Sequence, residues 1–430
     1  MPQILPFRGL RYTERAGALD TLLAPPYDVI SPEQQRELAQ RSPYNAVHLE
    51  LAEGGDEKYD RVAGLLREWE ANGILRRDDE PRLYVYEQAF DIHSQEFRRR
   101  ALIVGVEAQP WEEGAVKPHE YTLSGPKEDR LRLLEATRVQ LSPVFMIARD
   151  RSGQLREFLD STIQSRPPAV EGTSMEGDRH RLWVLEAGRY ELRQLAPLLS
   201  ESFYIADGHH RYETAVNYRN RLIEREGALP PDHPARYAMA AIVPATDPGL
   251  VVRPIHRVVP RQAPEDWVQR IHDNFTIEEV KPIGPDDAEA EALLSRLVDL
   301  PSGIVALNLE PGMVHILNPR DESVFDRIAP GGHSGNWVRV GPNLLRYGVL
   351  TPLWGITDEE LRQGAVEYEH EAAVVYRRVL SAPGMTGFLL NPVTVHQVID
   401  LADAGERLPQ KSTFFHPKLG TGLVMHPLFP

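Results

Sequence analysis

The amino-acid sequence predicts a mixed α+β protein, and two patterns carry that prediction. Short apolar stretches typical of strands alternate along the 430 residues with amphipathic stretches typical of helices. The alternation lacks the long, regular strand–helix–strand repeat of a Rossmann sheet, which favours the α+β class over a doubly wound one. A chain of 430 residues is also long enough to form two or three domains with sizeable cores.

The first 150 residues contain clear helix and strand signals. Ser31 is a suitable N-cap followed by a proline, which predicts a helix over residues 32–41. Apolar residues at helical spacing predict a second helix over 56–72, which ends at an Asn-Gly pair. A short apolar stretch at 44–51 predicts a strand. The other elements expected here are strands over 83–90, 99–107 and 144–148 and a helix over 127–137.

The rest of the chain continues the alternation. A polar loop is expected over 165–178, where two adjacent prolines are followed by glycine, serine and threonine. The expected strands are 182–186, the apolar run that ends before Asp207-Gly208, 238–244 and 387–390. The expected helices are 189–199, 211–221, 263–275, 285–298, 358–380 and 394–404.

Composition excludes several classes of protein. No apolar run approaches the ~20 residues needed to span a bilayer, and residues 1–10 lack a signal-peptide pattern, so we expect a cytoplasmic protein with no membrane partner. Zero cysteines exclude disulfides, a thiol nucleophile and thiolate metal sites. The net charge of −15 disfavours nucleic acid as a partner but still allows a local basic pocket for a small anion. The oligomeric state stays open.

The most informative segment is Asp-Gly-His-His-Arg at residues 207–211, directly after an apolar strand. A glycine at a strand-to-helix turn lets the backbone approach a ligand closely. The first turn of the following helix offers N–H groups and a positive dipole end, which suit a phosphate. The alternative is an ordinary Asp-Gly turn whose histidine satisfies a backbone carbonyl. The segment is neither a Walker loop nor a dinucleotide fingerprint.

This segment resembles the phosphate-binding box of the ParB/sulfiredoxin-like superfamily, whose members bind nucleotides and include free-serine kinases. Nearly the whole chain resembles the bacterial and archaeal "domain of unknown function 1015" family. The motifs that carry this second resemblance are APPYDVI at 24–30, KPHEYT at 117–122, KEDRL at 127–131, SPVF at 142–145, RLW at 181–183 and PQKSTFFHPK at 409–418.

The resemblance implies a ParB-like nucleotide-binding core over residues 1–260, with an insertion around 80–195, and a C-terminal α+β domain over 261–430 that closes over the same cleft. It also implies a phosphotransferase that uses ADP or ATP and a small hydroxyl substrate such as free serine. Two alternatives stay open. One is a nucleotide-binding regulator without turnover, and the other is a hydrolase of a small phosphoester.

Phosphoryl transfer needs N–H groups around the phosphate, cations, a base for the attacking hydroxyl and usually a divalent metal such as Mg²⁺. Asp207 and Glu120 could supply oxygen ligands to that metal. The residues expected to fill the other roles are the bases Asp207, His209, Glu120 and Asp28; the phosphate- and nucleotide-binding residues Gly208, His210, Arg211, Lys127, Arg130, Lys411 and Lys418; and the substrate-loop residues Tyr27, His119, Thr122, Ser412 and Thr413.

Each of these groups also has a purely structural interpretation. Lys127 and Arg130 lie three residues apart, which fits a solvated helix face as well as a binding face. The prolines before Tyr27 fit a stiff turn packed on the core, and residues 411–418 fit a strand with solvent-facing lysines. Because binding residues concentrate on loops, we expect these scattered motifs to meet at one site. That expectation is wrong if Asp28, Glu120 and His209 lie more than ~20 Å apart.

Overall fold

The computed structural model describes residues 3–121, 125–282, 284, 288–382 and 384–429. The chain divides into two compact units. The first comprises residues 1–118, 122–251 and 417–430, and the second comprises 119–121 and 252–416. The chain therefore enters the second unit briefly near residue 120 and returns to the first unit for its last 14 residues.

The first unit is built on a nine-stranded mixed sheet. Its strands in chain order are β1 (Ile4–Leu5), β2 (Arg82–Ile92), β3 (Gln95–Glu107), β4 (Val116–Lys117), β5 (Val144–Ala148), β6 (Val170–Thr173), β7 (Arg179–Glu186), β8 (Phe203–Asp207) and β9 (Tyr237–Pro244). The spatial order is β4-β8-β5-β9-β3-β2-β7-β6, and β1 pairs with β3. The β8–β4 and β9–β5 pairs are parallel, whereas the other pairs are antiparallel.

Seven α-helices accompany this sheet in the described part of the unit: α1 (Pro32–Arg41), α2 (Val47–Glu50), α3 (Glu57–Ala71), α4 (Gly125–Thr137), α5 (Gln154–Ser165), α6 (Arg189–Leu195) and α7 (His209–Glu226). A capping box begins α1, in which Ser31 and Gln34 satisfy each other's backbone N–H groups. Short strand pairs join Leu10–Tyr12 to Leu75–Arg77 and Val139–Gln140 to His426–Pro427.

Both faces of the sheet are buried at its central strands, and the largest cluster described lies on the face that α5 and α7 cover. Alternate residues of the central strands, such as Leu102 and Val104 of β3, face the buried side chains of α5 and α7. Tyr212 of α7 is completely buried there, and its hydroxyl donates to the Gln109 carbonyl. This packing fixes the start of α7 directly after the end of β8.

The second unit contains a six-stranded antiparallel sheet. Its strands are β10 (His256–Val259), β11 (Phe275–Pro282), β12 (Ile304–Leu307), β13 (Met313–Pro319), β14 (Glu367–Glu369) and β15 (Thr386–Leu390), in the spatial order β11-β13-β12-β15-β10-β14. Two further short strands are Val251–Arg253 and Phe414–His416. Buried residues of the helices Ala288–Leu297 and Ala372–Ser381 cover one face of the sheet and contact side chains such as Val314 and Ile316.

The helices described in this unit are α8 (Trp267–Ile271), α9 (Ala288–Leu297), α10 (Ser323–Ile328), α11 (Gly335–Arg339), α12 (Gly341–Leu345), α13 (Thr351–Trp354), α14 (Asp358–Arg362), α15 (Ala372–Ser381) and α16 (Val395–Asp403). A π-helical turn at Arg346–Leu350 joins α12 to α13. Capping boxes at Thr357 and Thr394 begin α14 and α16.

The structure confirms the mixed α+β class and corrects three local predictions. Residues 44–51, predicted as a strand, contain α2, because the Asn45 side chain accepts from the Val47 N–H and turns the backbone. The single helix predicted over 358–380 is divided: Gly364 is left-handed, and β14 lies between α14 and α15. The polar loop at 165–178 contains the edge strand β6.

The described residues include no helix that is both long enough and apolar enough to cross a membrane.

Candidate functional site

The turn between β8 and α7 has the geometry that the sequence predicts for residues 207–211. Asp207 ends the strand, and Gly208 is the N-cap of an 18-residue helix with φ of +87°. Only glycine adopts that conformation without strain. Gly208 has no side chain that could cap the helix, and the first turn of α7 lies at the positive end of the helix dipole.

Two cations converge on the Asp207 carboxylate. The Arg211 Nη2 donates to Oδ2 at 2.6 Å, and Lys418 Nζ donates to Oδ1. The three side chains are 14%, 10% and 17% exposed for Asp207, Arg211 and Lys418, respectively. Burial by itself raises the pKa of Asp207, but the charges of Lys418 and Arg211 outweigh burial and hold that pKa below its usual value. Asp207 is therefore a carboxylate that positions two cations.

The Arg211 side chain folds back across the turn. It also donates to the Pro143 carbonyl, which precedes β5. A Cβ at position 208 would lie 2.9 Å from the guanidinium carbon of Arg211, so any other residue there would displace that guanidinium in addition to straining the backbone. The turn and the guanidinium thus form one rigid arrangement.

A cleft of about 470 Å³, open solvent included, adjoins Arg211 within the first unit. Its polar lining includes Tyr27, Glu50, Arg130 and Ser142, and its apolar lining comes mainly from α4 and the segment before β5. The Arg130 guanidinium lies 4.3 Å from the centre of the Tyr27 ring, a cation–π contact that fixes both side chains. The predicted residues Tyr27, Arg130 and Arg211 therefore line one cleft.

Glu50 is the functional candidate that the sequence prediction missed. The residue is 3% exposed, its Oε2 lies 3.4 Å from Arg130 Nη1, and its Oε1 has no hydrogen-bond partner among the described residues. Burial raises the pKa of Glu50, although the Arg130 charge acts in the opposite direction. A carboxyl of this kind in a cleft is a common feature of catalytic sites. Glu50 belongs to none of the motifs identified in the sequence, and the segment that contains it was predicted as a strand.

Other predicted residues of the first unit have different surroundings. Asp28 lies on the short 3₁₀ turn Tyr27–Val29 and is exposed. Its charge acts on both Arg211 and Glu50, which places it near the cleft. His209 is buried and His210 is half-buried in the first turn of α7. Thr122 and the side chain of Lys127 lie outside the described residues.

A second group of predicted residues lies in the second unit. Thr413 donates from its hydroxyl to Glu120 Oε1 at 2.9 Å, and the Thr413 backbone N–H donates to the same oxygen at 3.1 Å. His119 Nε2 lies 2.8 Å from the Thr413 hydroxyl and is completely buried. Ser412 is buried and donates to the Pro409 carbonyl. Lys411 is exposed, and its φ is +61°.

The structure thus brings the predicted residues together in two groups, one in each unit. The first group is Tyr27, Asp28, Arg130, Asp207, Gly208, Arg211 and Lys418; the second is His119, Glu120, Ser412 and Thr413. The expectation that Asp28, Glu120 and His209 share one site stays a prediction.

A family model matches residues 4–317 and is described as "Protein of unknown function (DUF1015)". The chain belongs to this family. The match confirms the resemblance that the motifs between residues 24 and 183 indicate, whereas the motif at 409–418 lies beyond the matched range. No curated protein shows significant similarity to the sequence.

Several solved structures show a distant similarity. A mutant of a free serine kinase in complex with ADP is 14% identical, with a TM-score of 0.34 and coverage of 74% of this chain and 90% of that chain. SbnI with a C-terminal truncation, from Staphylococcus aureus, is 10% identical, with a TM-score of 0.35 and coverage of 76% and 87%. A conserved hypothetical protein from Pyrococcus furiosus is 13% identical, with a TM-score of 0.32 and coverage of 74% and 93%. These scores are too low to carry an assignment of activity.

Proposed function

We propose that this protein binds ADP or ATP at the start of α7 and transfers a phosphoryl group to the hydroxyl of a small molecule, with free serine as the first acceptor to test. The observation that carries the proposal is the start of an 18-residue helix whose N-cap is a left-handed glycine and which is flanked by Arg211. Helix starts of this kind bind phosphate through backbone N–H groups and the helix dipole.

The charges around the turn support an anionic ligand. Arg211 and Lys418 share the single charge of Asp207, so this cluster keeps one net positive charge next to the positive end of α7. Arg130 adds a third cation to the lining of the cleft, where it pairs with the buried Glu50 and with Asp129. A phosphate chain would gain charge-assisted hydrogen bonds from these groups without any rearrangement of the turn.

The lining of the cleft combines apolar walls with polar and charged groups, as ligand sites commonly do. Apolar side chains such as Leu133, Leu141 and Val144 line the cleft together with the charged groups of Arg130 and Arg211. A lining of both kinds suits a ligand with a flat, apolar part and an anionic part, as a nucleotide is.

Glu50 is the base that this proposal assigns to the acceptor hydroxyl. A general base works best when its pKa lies near the working pH, and burial moves the pKa of Glu50 upward in that direction. Asp207 suits this role less well, because its low pKa makes its carboxylate a weak proton acceptor. We assign Asp207 the positioning of Arg211 and Lys418. Its carboxylate also does not fit Mg²⁺, since both of its oxygens already accept hydrogen bonds from cationic side chains.

The test uses phosphorus NMR on the full chain with ATP or ADP, in the presence and absence of serine. We expect a phosphorylated acceptor with the wild-type chain. Glu50→Gln should retain nucleotide binding and reduce turnover by about 100-fold or more, because it keeps the shape of the base and removes its proton affinity. Glu224→Gln, on an exposed glutamate of α7, is the matched control.

Arg211→Ala tests the binding half of the proposal. Loss of a charge-assisted hydrogen bond should weaken nucleotide binding by roughly 10- to 100-fold. Arg151→Ala removes an exposed arginine of the same unit and should leave the affinity unchanged. Equal affinities of the two variants would refute the phosphate site. Nucleotide binding without any phosphorylated product, across a panel of hydroxyl acceptors and water, would instead support a nucleotide-binding regulator.

A further inference from the structure

Three potential metal ligands converge in the second unit, on the edge of its sheet. Glu279 of β11 and His315 of β13 lie directly opposite each other in the antiparallel pair. Glu310 lies in the turn between β12 and β13. One ring nitrogen of His315 and one carboxylate oxygen of each glutamate all lie within 4.8 Å of one another.

The turn that carries Glu310 has a defined structure. Asn308 is left-handed with φ of +68°, and its backbone N–H donates to the Met313 carbonyl at 2.9 Å. The Asn308 side chain accepts from the Gly312 N–H at 2.8 Å and donates to the Met385 carbonyl at 2.7 Å. These bonds anchor the turn to the neighbouring strand, so the backbone holds Glu310 beside His315 instead of leaving it on a mobile loop.

His315 supplies an independent indication of a ligand. It is 3% exposed, and its Nδ1 is buried without a hydrogen-bond partner among the described residues. Its ring packs against Trp267 in a T-shaped contact at a centroid distance of 5.0 Å. Buried imidazoles usually have a polar partner, and the carboxylates of Glu279 and Glu310 lie within 4.8 Å of one of its ring nitrogens.

A direct hydrogen bond does not explain the cluster. The Nδ1 of His315 has no hydrogen bond to either glutamate among the described residues. The imidazole offers a lone pair on nitrogen, and the two carboxylates offer anionic oxygens. That combination is a ligand set for a cation.

We propose that Glu279, Glu310 and His315 bind one divalent transition-metal ion, with Zn²⁺ as the expected occupant and water in the remaining coordination positions. One nitrogen and two oxygens select a borderline ion over Mg²⁺ or Ca²⁺, which prefer all-oxygen sites. Ligand atoms at about 2.0–2.1 Å from Zn²⁺ lie about 3.4 Å apart in a tetrahedron. The two exposed carboxylates need only small rotations to reach that spacing from the present one.

The ion would cross-link parts of the second unit. It joins β11, β13 and the turn that precedes β13, in addition to their backbone pairing. Three protein ligands also leave at least one position open, which is typical of sites where a bound water or a further ligand completes the coordination. None of the three ligands lines the cleft described above, so the metal site does not rest on the proposed phosphotransferase.

The test measures metal binding by the chelator-treated full chain. Calorimetry with Zn²⁺ and visible absorption with Co²⁺ should both show one equivalent bound, and the Co²⁺ spectrum should report four- or five-coordinate geometry. Glu279→Gln and Glu310→Gln should each weaken binding by at least 10-fold. Both residues are exposed, so these variants should fold normally. Added Zn²⁺ should raise the melting temperature of the wild-type chain but not of either variant.

Glu278→Gln is the matched control, because Glu278 neighbours Glu279 on the same strand and pairs with the exposed Arg296. It should bind Zn²⁺ as the wild-type chain does. The chain has 15 histidines, so binding alone does not identify the site. Absence of Zn²⁺ binding by the wild-type chain would overturn the proposal. Equal affinity of the wild-type chain and both ligand variants would also overturn it, since the bound metal would then lie elsewhere.

Discussion

Replacement of Asp207 by asparagine tests the charge balance at the start of α7. Asn keeps the shape of the side chain and one acceptor oxygen, but it leaves Arg211 and Lys418 without the charge that they share. Removal of one partner of a buried ion pair costs about 3–5 kcal/mol. Because these side chains are 10–17% exposed, we expect the lower end of that range, about 3 kcal/mol.

The assay is thermal unfolding, followed by circular dichroism over a range of pH. For a domain of this size, 1 kcal/mol corresponds to about 2–4 °C, so Asp207→Asn should lower the melting temperature at pH 7 by roughly 6 °C or more. The folded-state pKa of Asp207 is depressed, so its contribution is present above the unfolded pKa and is lost as the pH falls through the folded value. The deficit of the variant should therefore shrink below about pH 4.

Asp232→Asn is the control, because Asp232 is exposed in the same unit. The reasoning is refuted if both variants melt together at pH 7, or if the deficit of Asp207→Asn is the same at acidic and neutral pH. In either case, the two cations would not depend on Asp207, and its assigned positioning role would be lost.

Three further outcomes are expected. Gly208→Ala should destabilise the chain and weaken nucleotide binding, because the new Cβ contacts Arg211. Gly177 has a similar φ of +93°, but a Cβ there would have no atom within 4 Å, so Gly177→Ala should change stability only. Melting curves and nucleotide titrations measure the two effects. Thr413→Val removes a hydroxyl that bonds a carboxylate and an imidazole, and should lower the free energy of unfolding by about 1–3 kcal/mol in urea, whereas Thr413→Ser should restore most of it. Burial lowers the pKa of His180 to about 3, so its contribution to stability is lost as the pH falls below the unfolded value. Between pH 7 and 5 that loss should reach about 2 kcal/mol, and His180→Gln should flatten the slope.

Local signals predicted most elements because they act within a few residues. The helix expected over 32–41 is observed at Pro32–Arg41, since its capping box and its proline are adjacent in sequence. The strand expected over 144–148 is observed at Val144–Ala148. The strand predicted over residues 44–51 was wrong, because a short apolar run lacks the periodicity that distinguishes a short helix from a strand.

The sequence by itself determined the α+β class, the family, and the strand, glycine and helix at residues 203–226, because each depends on local conformational preference or on contiguous motifs. Only the tertiary structure decided which charges meet there. Lys418 reaches Asp207 across 211 positions, and Glu50 meets Arg130 across 80. The convergence of Glu279, Glu310 and His315 likewise depends on the register of one strand pair and one turn. The spacing of residues along the chain does not predict such pairings, because they depend on burial and strand register, which are established only when the sheets assemble.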